Sequence, residues 1–173
     1  MALSSAPLLD DPATERAARI GALLVQRGET VAVAETAAGG LISSALVAVA
    51  GASAWFQGGV VAYGAGAKTR LLGLPPEAFL PHGVVSEAAA QAMAQAVRDS
   101  VGATWGLAEV GIAGPQIGRR SRKGAGVAYL AICGGLTLTQ VVRTGRDDRA
   151  VNQRAFATAA LTFFADTLVR APP

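Results

Sequence analysis

The chain has 173 residues, an ordinary size for one domain around a single core, and one compact unit is expected from residue 1 to 173. Hydrophobic residues make up 51% and charged residues only 16%, a balance that excludes a disordered chain and points to strands buried on both faces. A formal charge of +3, with most arginines scattered among acids, does not single out nucleic acid; a phosphate-bearing small molecule accounts for it as well.

The stretch from Gly39 to Ala67 is uncharged, but Ser43, Ser44, Gly51 and Gln57 interrupt it, and its apolar part is too short to span a bilayer. The amino-terminal residues MALSSAPLLDDPATER lack a basic region followed by an apolar one, so no secretory signal is read there and the cytoplasm is the expected compartment. Cys133 is the single cysteine, and its apolar surroundings suit an inert core thiol. His82 is the single histidine, in a proline-flanked loop without ligand spacing, so no metal site is expected.

Residues 11 to 27 read as a helix: Asp11 is placed to cap it, Pro12 takes the first helical position, Ile20, Leu23 and Leu24 lie on one side, and Gly28 follows its end. Val31 to Glu35 is a short buried strand. After Gly39 and Gly40, the run Leu41, Ile42, Ala45, Leu46 and Val49 recovers a helical period. A connection over residues 51 to 57 leads to a second strand, Gly58 to Tyr63, whose adjacent Val60 and Val61 predict burial on both faces. Lys68 to Leu72 is a short helix, and Pro75, Pro76 and Pro81 hold an irregular loop. Ser86 is suited to cap the next helix, with Glu87 at its positive end, and that helix runs to about Ser100. Trp105 to Ile112 is a strand closing in Gly111-Ile112-Ala113-Gly114-Pro115, a sequence that stops a strand and exposes backbone amides. A basic loop from Gln116 to Gly124 precedes two strands, Val127 to Cys133 and Leu136 to Val142, and Gly134-Gly135 between them predicts an antiparallel hairpin. Asp147 or Asp148 opens the last helix, striped by Val151, Phe156, Ala159, Ala160 and Phe163. Strands alternating with helices predict an α/β fold, a three-layer α/β/α sandwich whose mixed, mostly parallel sheet carries one antiparallel hairpin.

Open α/β sheets bind ligands outside the carboxyl ends of their strands, which directs attention to Glu35-Thr36-Ala37-Ala38-Gly39-Gly40. Glu35 places a carboxylate at a strand end, Thr36 places a hydroxyl in the turn, and the following amides open a helix that can hold an anion or an oxyanion. The same residues also suit a plain turn in which Thr36 caps the helix. At the end of the second strand stand Tyr63 and Lys68. A lysine in a partly dry site gives up its proton more readily and can act as a base toward a hydroxyl, and a tyrosine can relay that proton. By themselves the two also suit a strand-end aromatic and a solvated helix lysine. The basic run Arg119, Arg120, Arg122 and Lys123 has no interleaved aromatics, so it is no stacking platform for a single strand; it reads as a solvated loop or a phosphate clamp.

In chain order the sequence carries Ala34-Glu35-Thr36-Ala37-Ala38-Gly39-Gly40, then Ala50-Gly51-Ala52-Ser53-Ala54-Trp55-Phe56-Gln57-Gly58-Gly59-Val60-Val61-Ala62-Tyr63, then Lys68-Thr69-Arg70-Leu71-Leu72-Gly73. His82-Gly83-Val84-Val85-Ser86-Glu87, Gly111 to Pro115, and Thr144-Gly145-Arg146 with Arg149 follow. Over roughly residues 15 to 168 this series resembles the nicotinamide-nucleotide amidase family, of the competence/damage-inducible C-terminal-domain type. The resemblance implies hydrolysis of the carboxamide of nicotinamide mononucleotide to nicotinate mononucleotide and ammonia, with neither cofactor nor metal. It puts Thr36 in the nucleophile's place, Lys68 as the base and Tyr63 as an aid to proton transfer. Glu35, Ala38, Gly39 and Gly40 would border the substrate, with the amides of Ala38 to Gly40 toward the oxyanion. Gly111, Ala113 and Gly114 would line the nucleotide, and Arg146 or Arg149 would balance its phosphate.

The chain departs from the family pattern at several polar positions. Thr36 replaces serine and keeps the hydroxyl, adding a methyl that restricts its rotamer. Ala38 and Val110 stand where the family has hydroxyls, Pro115-Gln116-Ile117-Gly118 replaces Pro-Asp-Gly-Gly, and Gln153 falls close to a second family arginine. Three readings therefore stay open: an amidohydrolase of a pyridine nucleotide or related carboxamide, a nucleotide-binding or interaction domain without turnover, and, on the basic run alone, a nucleic-acid partner. The apolar composition and small-residue surfaces further suggest a homo-oligomer.

Overall fold

The computed structural model describes residues 11–64, 66–115 and 123–172. Gln116, Ile117, Gly118, Arg119, Arg120 and Arg122 of the loop singled out above lie outside the described residues. Helix α1 spans Asp11–Arg27, followed by β1 at Val31–Glu35, α2 at Leu41–Val47, β2 at Phe56–Val61, α3 at Ala67–Leu72 and α4 at Glu87–Val101. Then come β3 at Trp105–Ile112, β4 at Val127–Cys133, β5 at Thr137–Arg143 and α5 at Arg149–Arg170. The proline loop contains a short 3-10 turn, Pro76–Phe79, that buries Phe79.

The strands form one sheet in the order β2-β1-β3-β4-β5. β1 pairs in parallel with both β2 and β3, while β3-β4 and β4-β5 are antiparallel, so only β4 runs against the other four. Alternation along the strands divides the core in two. Val31, Val33, Leu107, Leu130 and Ile132 pack with α1, α2 and α5 on one face; Ala32, Ala34, Ala108, Val110 and Ala131 pack with α4 on the other. β1 is buried along its whole length and β3 over its first six residues, as two-sided coverage requires.

β2 departs from expectation. It begins at Phe56 and ends at Val61, and its residues are alternately half-buried and exposed, because it is one of the sheet's two edge strands. Gln57 is one residue too many between Val31↔Phe56 and Ala32↔Gly58, and this bulge slips the alternation that two adjacent valines had suggested. α5 also presents a different stripe: Asn152, Phe156, Ala160, Leu161 and Phe164 are buried, whereas Val151, Ala159 and Phe163 lie at its margin. Phe164 meets Trp105 edge-on, with ring centroids 6.1 Å apart. Ser86 caps α4 by accepting from Ala89 N at 3.1 Å, and Asp148 caps α5 by accepting from Val151 N at 2.8 Å. Cys133 is buried beside α4, its Sγ 3.8 Å from the Gln91 carbonyl.

A clasp closes the chain opposite the carboxyl ends of the parallel strands. Arg27 donates to the carbonyls of Leu168, Ala171 and Pro172 at 3.3, 3.1 and 2.8 Å and to Glu29, which also accepts from Trp105 Nε1 at 2.7 Å. Partial burial pushes the Glu29 carboxyl up, but the bonds from Arg27 and Trp105 outweigh it and hold the group below its ordinary value. A carboxyl depressed in the folded state stabilises the fold above its unfolded pKa of about 4.3, and the contribution is lost as pH falls below that. Arg27→Ala is therefore expected to lower unfolding free energy by about 1–3 kcal/mol at neutral pH. Chemical denaturation of both proteins should show the gap narrowing in acid; a gap independent of pH would contradict the pairing.

Candidate active site

Because β1, β2 and β3 are parallel, their carboxyl ends lie at one edge of the sheet, joined there by the start of β4 and the end of β5. Thr36, Ala62 to Gly64, Gly66 to Lys68, Gly111 to Pro115, and Thr144 to Arg149 all reach this edge.

Thr36 follows β1 directly and is 5% exposed. Its Oγ1 accepts a hydrogen bond from Gly111 N at 3.3 Å, which joins the turn after β1 to the end of β3. On the other side of β1, Ala62 N donates to Glu35 O at 2.8 Å, and Lys68 Nζ at the start of α3 donates to Ala62 O at 3.3 Å. One residue, Ala62, therefore links the lysine to the strand end that carries Thr36. Tyr63 is exposed, and its hydroxyl accepts from Arg149 Nη2 at 2.9 Å, while Arg149 Nη1 donates to Gly114 O at 3.2 Å. Arg149 thus bridges the ends of β2 and β3. Arg146 is exposed, and its guanidinium has no partner among the described residues.

Two buried carboxylates organise the turn, and they change the expected roles of its amides. Glu35 accepts from Gly40 N, Ile42 N, Ser43 N and Ser43 Oγ at 2.9, 3.1, 2.8 and 2.6 Å. It serves the start of α2. Glu109, on the α2 and α5 side of β3, accepts from Thr36 N at 3.1 Å and Ala38 N at 2.9 Å through Oε2. Of the amides expected to face an oxyanion, Ala38 and Gly40 are bonded internally, and Gly39 N alone has no acceptor among the described residues. The physical reason is that a buried amide must be paired, and a fully buried carboxylate offers the strongest acceptor available. Gln153 borders the remaining amide: its Nε2 donates to Ala37 O at 3.1 Å and lies 3.0 Å from where a Gly39 Cβ would stand.

Burial pushes the Glu109 carboxyl up to about 7; the Ala38 and Thr36 amides pull it down, and the Glu35 carboxylate pushes it further up. Sequence reasoning missed this group. A lone acid inside the apolar run Leu107-Ala108-Glu109-Val110 of a central strand was the available signal, since such a charge must find buried partners.

The backbone after β3 is largely engaged. Gly111 N goes to Thr36, Ile112 O accepts from Gly126 N, Ala113 O from Asn152 Nδ2, and Gly114 O from Arg149. Gly114 has φ 96°, and a Cβ there would come within 2.7 Å of Asp147 O and Ala125 Cβ, so only glycine fits. Val110 is buried against α4, so its missing hydroxyl affects that core and not the Thr36 turn. Asn152 is fully buried and ties the rim together. Its Nδ2 donates to Ala113 O and Arg146 O at 2.8 and 3.0 Å, and its Oδ1 accepts from Thr144 Oγ1. Lys123 is half-buried, donating to Val85 O at 2.7 Å and Tyr129 OH at 2.8 Å with its ammonium over the Tyr129 ring, so this end of the basic run is not a solvated charge. His82 is exposed, and the described residues hold no group of three potential metal-ligating side chains. No helix among them is long and apolar enough to cross a membrane.

Known proteins are similar to this chain in sequence and in fold. The family model described as the CinA C-terminal domain matches residues 13–168. A CinA-like protein of Anaeromyxobacter sp. is 44% identical over 140 residues, covering 81% of this chain and 34% of its own length. One from Gloeobacter violaceus is 44% identical over 125 residues, covering 72% of this chain and 29% of its own. The chain thus spans about a third of the length of the curated relatives it matches. Among solved structures, the competence/damage inducible protein CihA from Agrobacterium tumefaciens superposes with a TM-score of 0.86 at 32% identity, covering 98% of this chain and all of the other. A competence-damaged protein (CinA) superfamily protein from Klebsiella pneumoniae gives 0.85 at 29% identity, covering 92% and 99%. With the motifs gathered at one sheet edge and the match running through nearly every element, this chain belongs to the CinA C-terminal domain family.

Proposed function

We propose that the chain is an amidohydrolase of a pyridine nucleotide or a related small carboxamide, with nicotinamide mononucleotide as the first substrate to test. The observation that carries this reading is the junction at Ala62, where Lys68 Nζ rests on the carbonyl of a residue whose amide is bonded to Glu35, beside Thr36. In the proposed reaction the Thr36 hydroxyl attacks the carboxamide carbon and its proton passes to Lys68, directly or by way of Tyr63. Ammonia leaves with a proton, and water then hydrolyses the ester to release the acid and restore Thr36. In this reading Gly39 N and the second Nε2 proton of Gln153 donate to the oxyanion, each such donor supplying roughly 2–4 kcal/mol of transition-state stabilisation. Arg146 is the cation for a substrate phosphate, since Arg149 is held by Tyr63 and Gly114.

Ammonia release from nicotinamide mononucleotide tests the proposal. Lys68→Ala is expected to reduce kcat on the order of a hundredfold to ten thousandfold, and Thr36→Val to abolish turnover. Wild-type release no faster than that of Lys68→Ala would overturn it. A second reading, a nucleotide-binding domain without turnover, is favoured by the internal pairing of Ala38 N and Gly40 N. A ligand-induced rise in melting temperature without ammonia would select it.

A further inference from the structure

The buried carboxyl of Glu109 has no part in the amidase scheme. Glu109 is fully buried, its Oε2 accepts from Thr36 N and Ala38 N, and its Oε1 has no partner among the described residues. A Cβ on Gly111 would lie 2.8 Å from Oε1, so the free oxygen sits beside the residue whose amide holds Thr36 Oγ1. These contacts form a closed set: β3 grips the peptides of the turn through Glu109 and the hydroxyl of the turn through Gly111. These two amides take Glu109 as their acceptor, while residue 38 is an alanine with no side-chain acceptor and Thr36 Oγ1 accepts from Gly111 N.

We propose that Glu109 is the positioning residue of the Thr36 turn, an internal anion seated against the Thr36 and Ala38 amides that sets where the Thr36 hydroxyl points. Its catalytic consequence rests on the amidase reading above, whereas its hold on the turn does not.

The hold depends on charge, because a carboxylate accepts stronger hydrogen bonds than the neutral acid. Since burial pushes this carboxyl up to about 7, the turn is gripped most firmly above neutrality and less firmly below it. Global stability has the opposite sign: a carboxyl raised in the folded state favours folding as pH falls through that value. The charged neighbour acting on Glu109 is Glu35 of β1. β4 brings Ala128 and Leu130 to this face, α5 brings Asn152, Gln153 and Phe156, and α2 has no charged residue. The rim cations Arg149 and Lys68 are bonded to Gly114 and Tyr63, and to Ala62.

The test follows the Thr36 and Ala38 amide resonances of the whole chain from mildly acid to mildly alkaline pH, alongside ammonia release. In the wild type both amides should move together with a midpoint near about 7. They should not do so in Glu109→Gln, whose side-chain oxygen accepts the same bonds without titrating. kcat should follow the same midpoint in the wild type and lose it in Glu109→Gln. In Glu109→Ala, kcat should fall on the order of tenfold to a hundredfold with KM little changed, and should the alanine variant not fold, the glutamine comparison decides. Amides that do not titrate in the wild type, or that titrate identically in Glu109→Gln, overturn the inference. Amide titration without ammonia from any of the proteins removes the amidase reading and supports the role of Glu109; ammonia release without amide titration does the reverse.

Discussion

Glu35→Ala is expected to lower unfolding free energy by about 3–5 kcal/mol, among the largest single-residue effects in the chain. The carboxylate is fully buried and accepts from three backbone amides and the Ser43 hydroxyl, so truncation strands four donors at the start of α2. For a domain of this length the melting temperature should fall by roughly 2–4 °C per kcal/mol. The loss should be the same with and without nucleotide, because none of the contacts belongs to a ligand. Glu35→Gln should retain part of the stability, since its one oxygen still accepts while its amino group faces donors. A Glu35→Ala protein that melts like the wild type but binds nucleotide weakly would restore the ligand-contacting role expected from sequence.

Asn152→Ala is expected to cost about 2–4 kcal/mol and to loosen the rim. Its side chain joins two segments distant in the chain: the loop after β3 through Ala113 O, and the loop after β5 through Arg146 O and the Thr144 hydroxyl. Removing it takes the Nδ2 donor from the Ala113 and Arg146 carbonyls and empties a fully buried position, while the Thr144 hydroxyl keeps Gly126 O and Arg146 N. Asn152→Asp should be no milder, because an acceptor-only carboxylate would face two carbonyl oxygens. Since the Arg146 carbonyl is one of the groups released, KM for a phosphate-bearing substrate should rise more than kcat falls. Equilibrium denaturation and steady-state kinetics on the same protein check both parts, and an unchanged melting temperature would contradict the network.

Much of the fold is local information, which is why it could be read along the chain. The limits of α1 follow from Pro12 and Gly28, the caps of α4 and α5 from Ser86 and Asp148, and the hairpin from Gly134-Gly135, each a preference expressed within a few residues. The motifs gave the family for the same reason: their order and spacing are properties of the chain itself. Edge and centre are not, and β2 was misjudged because nothing in Val60-Val61 says whether a further strand will lie beside it.

The site divides along the same line. Thr36, Tyr63 and Lys68 could be put forward from the sequence because they stand in the motifs that carry the family resemblance. That Glu109 reaches the Thr36 amide across 73 positions, that Glu35 accepts its side-chain hydrogen bonds from the start of α2, and that Arg149 seizes Tyr63 could be decided only once β1, β2 and β3 lay side by side. A buried donor takes whichever acceptor packing brings within reach, and packing is settled by the whole chain at once.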